Sequence, residues 1–290
     1  MKRFPFITIY GLLIIFYSSE AFPSPRTIPL SVITPLERGK VIYLNKENQC
    51  PRSHLTYSIQ CAEREGKLVY IFRQKGEGDY NKYHNIIWEV NGEAFIKDGL
   101  LLPLTDTRTI KDHQGNLIVR YTKKYDYKRK TVEFVTYNNE GAITVRKRFR
   151  LKGYTVDDTT LTGFLRTFLQ KKQKKKPLSF YLLTNKPKMY RVTAKLVGTE
   201  YIYLSGKEVK ALKIKLTPSM GIISPLTNIF VPPTYLWYSY HSPYIWLKYE
   251  GLESGIGSPC VITYVCQSWQ NRKDIVSKKI LSPEGMPSNR

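Results

Sequence analysis

The residue types that most often catalyse reactions or bind metals are few and scattered in this chain. The four histidines, His54, His84, His113 and His241, form no HxxxH or HExxH pattern, the spacing that puts two zinc ligands on one helix face. No GxSxG sequence marks a nucleophilic serine, and no glycine-rich phosphate loop is present. The sequence therefore predicts a protein with no metal site, no cofactor and no catalytic residues.

Two adjacent carboxylates, Asp157 and Asp158, stand where a helix is predicted to begin. Between Val156 and Lys172, apolar residues recur at helical spacing, namely Leu161, Phe164, Leu165, Phe168 and Leu169. Acidic residues at the start of a helix are usually caps, so we interpret this pair as structural rather than catalytic. Gly163 lowers the helix propensity by about 1 kcal/mol relative to alanine, and Pro177 ends the segment.

A lysine run follows this predicted helix: Lys171, Lys172, Lys174, Lys175 and Lys176. In one interpretation the run is a solvated helix end. In the other it binds an anionic surface, where each lysine contributes about 1 kcal/mol. Because the apolar stripe is needed to fill the sheet, only the lysines are left for a surface, and the solvated helix end is favoured.

An aromatic cluster near the end of the chain includes Tyr235, Trp237, Tyr240 and Trp246. These residues could form the core and rim of a sheet, where aromatic pairs across strands stabilise it. They could instead line a groove that holds an acyl chain or a sugar. Burial preferences favour the core, and the groove is kept as a ligand-binding hypothesis.

The N-terminal segment indicates export. Residues 1–21 combine an early Lys2 and Arg3, an apolar run over residues 4–17, and small residues before a cleavage position at Ala21. The apolar run is shorter than the roughly 20 residues of a membrane helix, so an uncleaved anchor is the less favoured alternative. We expect a periplasmic protein.

Four cysteines in an exported chain suggest two disulfides. Cys260 and Cys266 flank a strand-forming run and would lie about 20 Å apart if it is extended, too far to bridge each other. We expect them to be linked to the region of Cys50 and Cys61. The alternative joins Cys50 to Cys61 and leaves two thiols free.

The charge of the chain indicates an anionic partner. Lys and Arg number 46 against 23 Asp and Glu, a formal net charge of +23. For an exported protein this favours anionic lipid, lipopolysaccharide or an envelope polymer over nucleic acid, with peripheral contact to a membrane. A heavily solvated surface is the competing interpretation.

Period-two alternation dominates the chain and predicts a mainly β protein. Residues 22–39 contain four prolines, which predict an extended lead-in. We expect residues 40–273 to form a single β-rich domain and residues 274–290 to form a polar tail. The clearest hairpin spans residues 131–149, turning at 138–141 and ending in an exposed, edge-like strand. Residues 218–233 predict a long loop.

Several motifs between residues 150 and 266 carry a resemblance. Asp157-Asp-Thr-Thr160 precedes Gly163-Phe-Leu-Arg166, strand patterns follow over residues 190–200 and 206–216, and Leu236-Trp237 precedes closing strands at residues 243–249. This order resembles a family of exported bacterial β-rich proteins of unassigned function, although Thr160 replaces the expected serine. The resemblance implies a large curled antiparallel sheet or open barrel with one amphipathic helix packed in its concavity, as in periplasmic lipid carriers. It brings no catalytic residues.

These observations favour an exported, non-enzymatic β-domain that binds an amphipathic or anionic component of the cell envelope. The alternative is an exported structural or protein-interaction module without a small ligand, and an envelope-polymer hydrolase is less favoured. The deciding observation is whether the concave side of the sheet is open or is blocked by Phe164, Leu165 and Phe168.

Overall fold

The structure is a computed structural model that describes residues 36–64, 66–171, 176–219, 232–255 and 257–268. The predicted export signal, residues 22–35 of the lead-in and the polar tail lie outside the described residues. Lys172, Lys174 and Lys175 and most of the predicted loop at residues 218–233 also lie outside them.

Fifteen strands form one sheet, and a single described helix packs against it. The first eight strands are β1 (Leu36–Asn45), β2 (Pro51–Arg64), β3 (Lys67–Tyr80), β4 (Tyr83–Lys97), β5 (Leu100–Lys111), β6 (Leu117–Asp126), β7 (Thr131–Tyr137) and β8 (Ile143–Arg150). They are followed by β9 (Thr155–Asp157), helix α1 (Leu161–Leu169), β10 (Leu178–Leu183), β11 (Met189–Leu204), β12 (Lys207–Ser219), β13 (Thr234–Ser239), β14 (Trp246–Leu252) and β15 (Cys260–Ser268). The predicted mainly β fold class is confirmed.

The order of strands in the sheet follows the chain in two runs. Strands β1 to β8 pair in succession, and β1 pairs on its other side with β15, from which the order runs back through β14 to β9. Every neighbouring pair is antiparallel except β9 and β10. Helix α1 connects these two strands, as parallel neighbours require a crossover. The sheet does not close into a barrel, and its two edges are β8 and β9.

The sheet is curled, and its concave side holds the helix. Helix α1 and strand β9 both contact β5, although β9 and β5 lie far apart in the strand order. All residues of α1 except Thr162 are buried, as the apolar stripe predicts. A Cβ atom at Gly163 would lie 2.6 Å from Leu101 Cδ2, so this glycine allows the helix to approach β5 closely. No helix among the described residues is long and apolar enough to cross a membrane.

The predicted helix boundary at Val156 is wrong. Residues Thr155–Asp157 form β9, since they pair with Tyr181–Leu183 of β10, and the helix begins only at Leu161. Asp157 Oδ1 accepts a hydrogen bond from the backbone N of Thr160 at 2.9 Å. Asp157 therefore orders the turn before the helix instead of capping its first turn.

The hairpin prediction is confirmed. β7 and β8 pair from Thr131 opposite Arg150 to Tyr137 opposite Ile143, and β8 is an edge strand of the sheet. Residues 36–39, at the end of the predicted lead-in, belong to β1. All four pair with β2, and Arg38 and Gly39 also pair with β15.

The cysteines do not form the expected cross-links in this structure. Among the described side chains, Cys50, Cys61 and Cys260 are free thiols, and the side chain of Cys266 lies outside the described part. Gln60 of β2 is opposite Leu36, the first residue of β1, so Cys61 lies one position beyond that end of β1. Cys266 of β15 is opposite Lys40 of β1. Four to five residues of strand, about 15 Å, therefore separate these two cysteines along the sheet.

Cys50 and Cys260 lie at the other end of β1, on its two opposite sides. The backbone N of Asn45 donates to the carbonyl of Cys50 at 2.9 Å, and that of Lys46 donates to the carbonyl of Cys260 at 3.1 Å. Two strands on either side of a shared neighbour are about 9.5 Å apart. The Cα atoms of a disulfide are at most about 7 Å apart, so the register leaves this pair unbridged.

Candidate functional site

A cavity of about 220 Å³ lies in the concave interior of the sheet. Strands from both runs of the sheet contribute to its lining, and so does helix α1. An engineered apolar cavity of roughly 150 Å³ is large enough to bind benzene. The cavity in this protein therefore has room for part of an organic ligand.

Most of the cavity wall is apolar. Its apolar side chains alternate along strands with side chains on the other face of the sheet, as the period of two requires. On the strands they include Leu55, Ile59, Phe72, Leu182, Val192, Leu216, Leu236, Trp246 and Val261, and helix α1 adds Leu161. A wall of this composition is suited to a hydrocarbon chain, because contact with it removes apolar surface from water.

The helix fills only part of the concavity. Phe164, Leu165 and Phe168 are buried in a cluster with residues of β5 and β10, and they are not part of the cavity lining. Leu161 and Arg166 of the same helix do line it. The concave side is therefore neither fully open nor blocked, because Phe164, Leu165 and Phe168 pack outside the cavity that Leu161 and Arg166 line.

A buried ion pair forms one polar part of the wall. Arg166 Nη2 donates to Glu37 Oε1 at 2.9 Å, and Tyr57 Oη donates to the same oxygen at 3.1 Å. A second contact joins Arg166 Nη1 to Glu37 Oε2, so the pair is bidentate and well suited to burial. Burial alone lowers the pKa of Arg166, but the Glu37 carboxylate raises it above its ordinary value.

A second group of charged side chains, which we call the ionic cluster, comprises Asp106, Arg108, Lys123, Asp158 and Asn185. The Lys123 side chain is 0% exposed. Its Nζ donates to Asp106 Oδ2, Asp158 Oδ1 and Asn185 Oδ1, each at 2.9 Å. Arg108 Nη2 contacts Asp158 Oδ2 at 2.8 Å. Arg108, Asp158 and Asn185 line the cavity, with Lys123 and Asp106 behind them.

The ionic cluster shifts the pKa values of the neighbouring acids in opposite directions. Burial raises the pKa of Asp158, but the Arg108 and Lys123 charges outweigh it and hold that pKa well below its ordinary value. None of the described arginines pairs with Asp157, and burial together with the charge of Asp106 raises its pKa to about 6. Asp157 Oδ2 instead accepts a hydrogen bond from Tyr125 Oη at 3.0 Å.

The segment after β14 contributes a third polar group, formed by Glu253 and Ser254. The Glu253 side chain is 0% exposed, and burial raises its pKa. Its Oε2 accepts from the backbone N of Asn81 at 2.5 Å and lies 3.5 Å from Arg52 Nη2. Within the described residues, Glu253 Oε1, Ser254 Oγ and Arg108 Nε have no hydrogen-bond partner.

The structure does not gather the four predicted aromatic ligand residues around the cavity. Trp246 lines the cavity. On β13, Leu236 faces the cavity, so Tyr235 and Trp237 point to the other face of the sheet. There Trp237 is buried and donates to Glu200 Oε1 at 2.5 Å. Lysines cover this outer aromatic group: Lys213 Nζ lies 4.6 Å from the Tyr235 ring centroid, and Lys248 Nζ lies 4.5 Å from that of Trp237.

The other predicted site residues that the structure describes, Tyr240, Lys171 and Lys176, are not part of the cavity lining. Tyr240 is 38% exposed, with Lys210 Nζ 4.3 Å from its ring centroid. Lys171 Nζ lies 5.8 Å from the Tyr154 ring centroid, and burial lowers the pKa of this lysine. Lys176 is exposed. Among the described residues, no three His, Cys, Asp or Glu side chains converge as a metal site.

The ionic cluster is the functional feature that sequence reasoning missed. Its signal is present on β5, where Asp106 and Arg108 alternate in phase with Ile110, a buried core residue. Charged residues in phase with a buried position predict a buried ion pair. On β6, Lys123 is likewise in phase with the buried Tyr125. Asp158 and Asn185, however, lie outside the strands, where alternation gives no such indication.

No family model matches the chain, and neither does any curated protein sequence. Among solved structures, the chain is similar to a beta-barrel-like protein of a domain of unknown function, DUF1849, from Brucella abortus. The two share 10% sequence identity, the match covers 79% of this chain and 94% of that chain, and the TM-score is 0.44.

Proposed function

We propose that this protein is a non-enzymatic binding protein of the cell envelope that holds an amphipathic molecule in its interior cavity. The observation that carries this proposal is the cavity itself, which combines an apolar wall with buried polar groups. The export signal expected from the sequence places the protein where such ligands occur, and the net charge of +23 suits contact with anionic envelope surfaces.

The chemistry of the wall suits binding better than reaction. Arg108 and Lys123 are paired with carboxylates at 2.8–2.9 Å, and Arg166 is paired with Glu37. Charged groups held in this way orient a polar head group but have no proton to exchange without breaking an ion pair. The hydrocarbon part of the ligand would gain about 0.8 kcal/mol for each CH₂ group that the apolar wall buries.

Two leucines on the same strand allow a matched test. Leu182 lines the cavity, whereas Leu178, on the same face of β10, packs in the core outside the lining. Protein purified without detergent is extracted with organic solvent, and the extract is analysed by mass spectrometry. We expect about one lipid-like molecule per chain in the wild type and in Leu178→Trp, and none in Leu182→Trp. Absence of any such molecule from the wild type, or equal occupancy of both variants, would contradict the proposal.

The alternative function, a protein-interaction module, is favoured by one observation. Tyr201 and Tyr203 on β11 are 62% and 69% exposed, and exposed tyrosines are common in protein interfaces. A partner captured from the envelope by the wild type and lost in a Tyr201→Ser, Tyr203→Ser variant, together with an empty cavity, would favour this alternative.

A further inference from the structure

The polar wall of the cavity, which we define as Arg108, Asp158, Asn185, Glu253 and Ser254, holds three unpaired polar atoms. Glu253 Oε1 is an acceptor, Arg108 Nε is a donor, and Ser254 Oγ can act as either. All three residues line the cavity. A buried polar atom without a partner destabilises the protein, because it has lost its hydrogen bonds to water. A ligand that both donates and accepts hydrogen bonds here would replace those lost bonds.

The ion pairs around the polar wall are matched. Three cations, Arg52, Arg108 and Lys123, contact three carboxylates, Asp106, Asp158 and Glu253. Asp157 lies behind them and outside the cavity lining, where its carboxyl accepts hydrogen bonds from Tyr125 and Thr160. An anionic head group would add an unpaired negative charge beside side chains that are mostly buried, which is unfavourable. A cationic head group would add an unpaired positive charge in the same way. This matching therefore selects for a head group without net charge.

The size of the cavity limits the hydrocarbon part. A volume of about 220 Å³ is below the roughly 300–1,000 Å³ of pockets that enclose drug-sized molecules. This favours a single chain over a lipid with several chains. Apolar residues such as Leu55 and Leu236 form the wall that this chain would contact.

We propose that the cavity takes a single-chain amphiphile whose head group is uncharged and carries a hydroxyl, as in a monoacylglycerol. The hydroxyl donates to Glu253 Oε1 and accepts from Arg108 Nε or Ser254 Oγ. This inference rests on the proposed function and specifies the ligand class of the same site.

Three probes with the same chain length test the head-group preference: monolauroylglycerol, laurate and a lauryl trimethylammonium salt. Isothermal titration calorimetry on the delipidated protein measures each affinity. We expect monolauroylglycerol to bind at least tenfold more tightly than either charged probe. In Glu253→Leu, the affinity for monolauroylglycerol is expected to fall about tenfold. Laurate should bind this variant more tightly than it binds the wild type, because the substitution removes one negative charge from the region.

Matched variants separate this contact from general effects on the fold. Glu253→Gln keeps an acceptor oxygen and is expected to lose less than threefold. Glu250→Leu removes a nearby carboxylate that pairs with Lys46 instead of lining the cavity, and it should leave all three affinities unchanged. If Glu253→Leu does not fold, Ser254→Ala serves in its place, with an expected threefold loss for monolauroylglycerol only.

The outcomes distinguish this inference from the proposed function. Equal affinities for the three probes, or tighter binding of laurate, would overturn the head-group assignment and leave the proposed function standing. Failure of every probe to bind, with no lipid extracted from the purified protein, would overturn both.

Discussion

Replacing Lys123 with methionine tests the ionic cluster directly. Methionine keeps an unbranched side chain of similar length but removes the ammonium group. In the native protein that group donates to Asp106, Asp158 and Asn185 at 2.9 Å each, with the Lys123 side chain 0% exposed. The variant leaves two carboxylates without the cation that they share.

Removing one partner of a buried ion pair costs roughly 3–5 kcal/mol, because the remaining charge stays buried without compensation. Arg108 still contacts Asp158 in the variant, so the stranded charge is mainly that of Asp106. We therefore expect Lys123→Met to lower the free energy of unfolding by about 3 kcal/mol at neutral pH. For a domain of this size that corresponds to a decrease in Tm of about 6–12 °C.

Urea denaturation at neutral pH, monitored by circular dichroism, measures this loss. Lys124→Met is the matched control, since Lys124 is the next residue of β6 and is exposed, and it should change stability by less than about 0.5 kcal/mol. Adding Asp106→Leu to Lys123→Met removes the stranded carboxylate and should recover at least half of the loss. If both lysine variants cost the same small amount, the ionic cluster does not stabilise the fold and the reasoning is refuted.

Three further predictions concern the interior. Burial raises the pKa of Asp157 from near 3.8 to about 6, so the folded protein binds more protons than the unfolded chain in that range, and this group makes stability fall as pH rises. Asp157→Asn should flatten that decline in urea midpoints taken from about pH 4 to about pH 7. Gly163→Ala should lower the free energy of unfolding by about 1 kcal/mol despite its better helix propensity, because its Cβ meets Leu101; a stabilised variant would show that this leucine moves aside freely. Arg166→Met should lower the free energy of unfolding by about 3 kcal/mol, because it leaves the Glu37 carboxylate buried without its cation. Adding Glu37→Gln should recover part of that loss. If the double variant loses as much stability as Arg166→Met alone, the result argues against the pairing.

The features that the sequence predicts well are local ones. The β7–β8 hairpin depends on the four residues 138–141 between two alternating runs, and it forms as expected. The apolar stripe predicts the helix, but it suggests a start at Val156, whereas the helix begins at Leu161. The pairing of β9 with β10 joins Thr155 to Tyr181 across the helix, and a three-residue strand has too few positions to show a period of two.

The candidate site was less predictable because alternation assigns residues to two faces without saying which face is inside. On β13 both Trp237 and Tyr238 are buried. Trp237 lies in a small outer cluster with Ile202 and Leu247, and Tyr238 lies in the interior core. When both faces of an aromatic strand are buried, its composition does not indicate which side chains reach the cavity. Only the curl of the whole sheet decides it.

The ionic cluster also explains how an open sheet can hold its curl. Asp106 on β5 and Lys123 on β6 lie towards the β8 edge, whereas Asp158 follows β9 at the other edge, and Asn185 follows β10. No backbone ladder joins β9 to β8, so side-chain contacts such as Lys123 to Asp158 connect the two ends of the strand order. Because Asp158 and Asn185 also line the cavity, the contacts that hold the sheet around the helix also fix the polar wall in place. A variant that weakens the cluster should therefore loosen the curl and the binding site together, which links the stability of this fold to its proposed function.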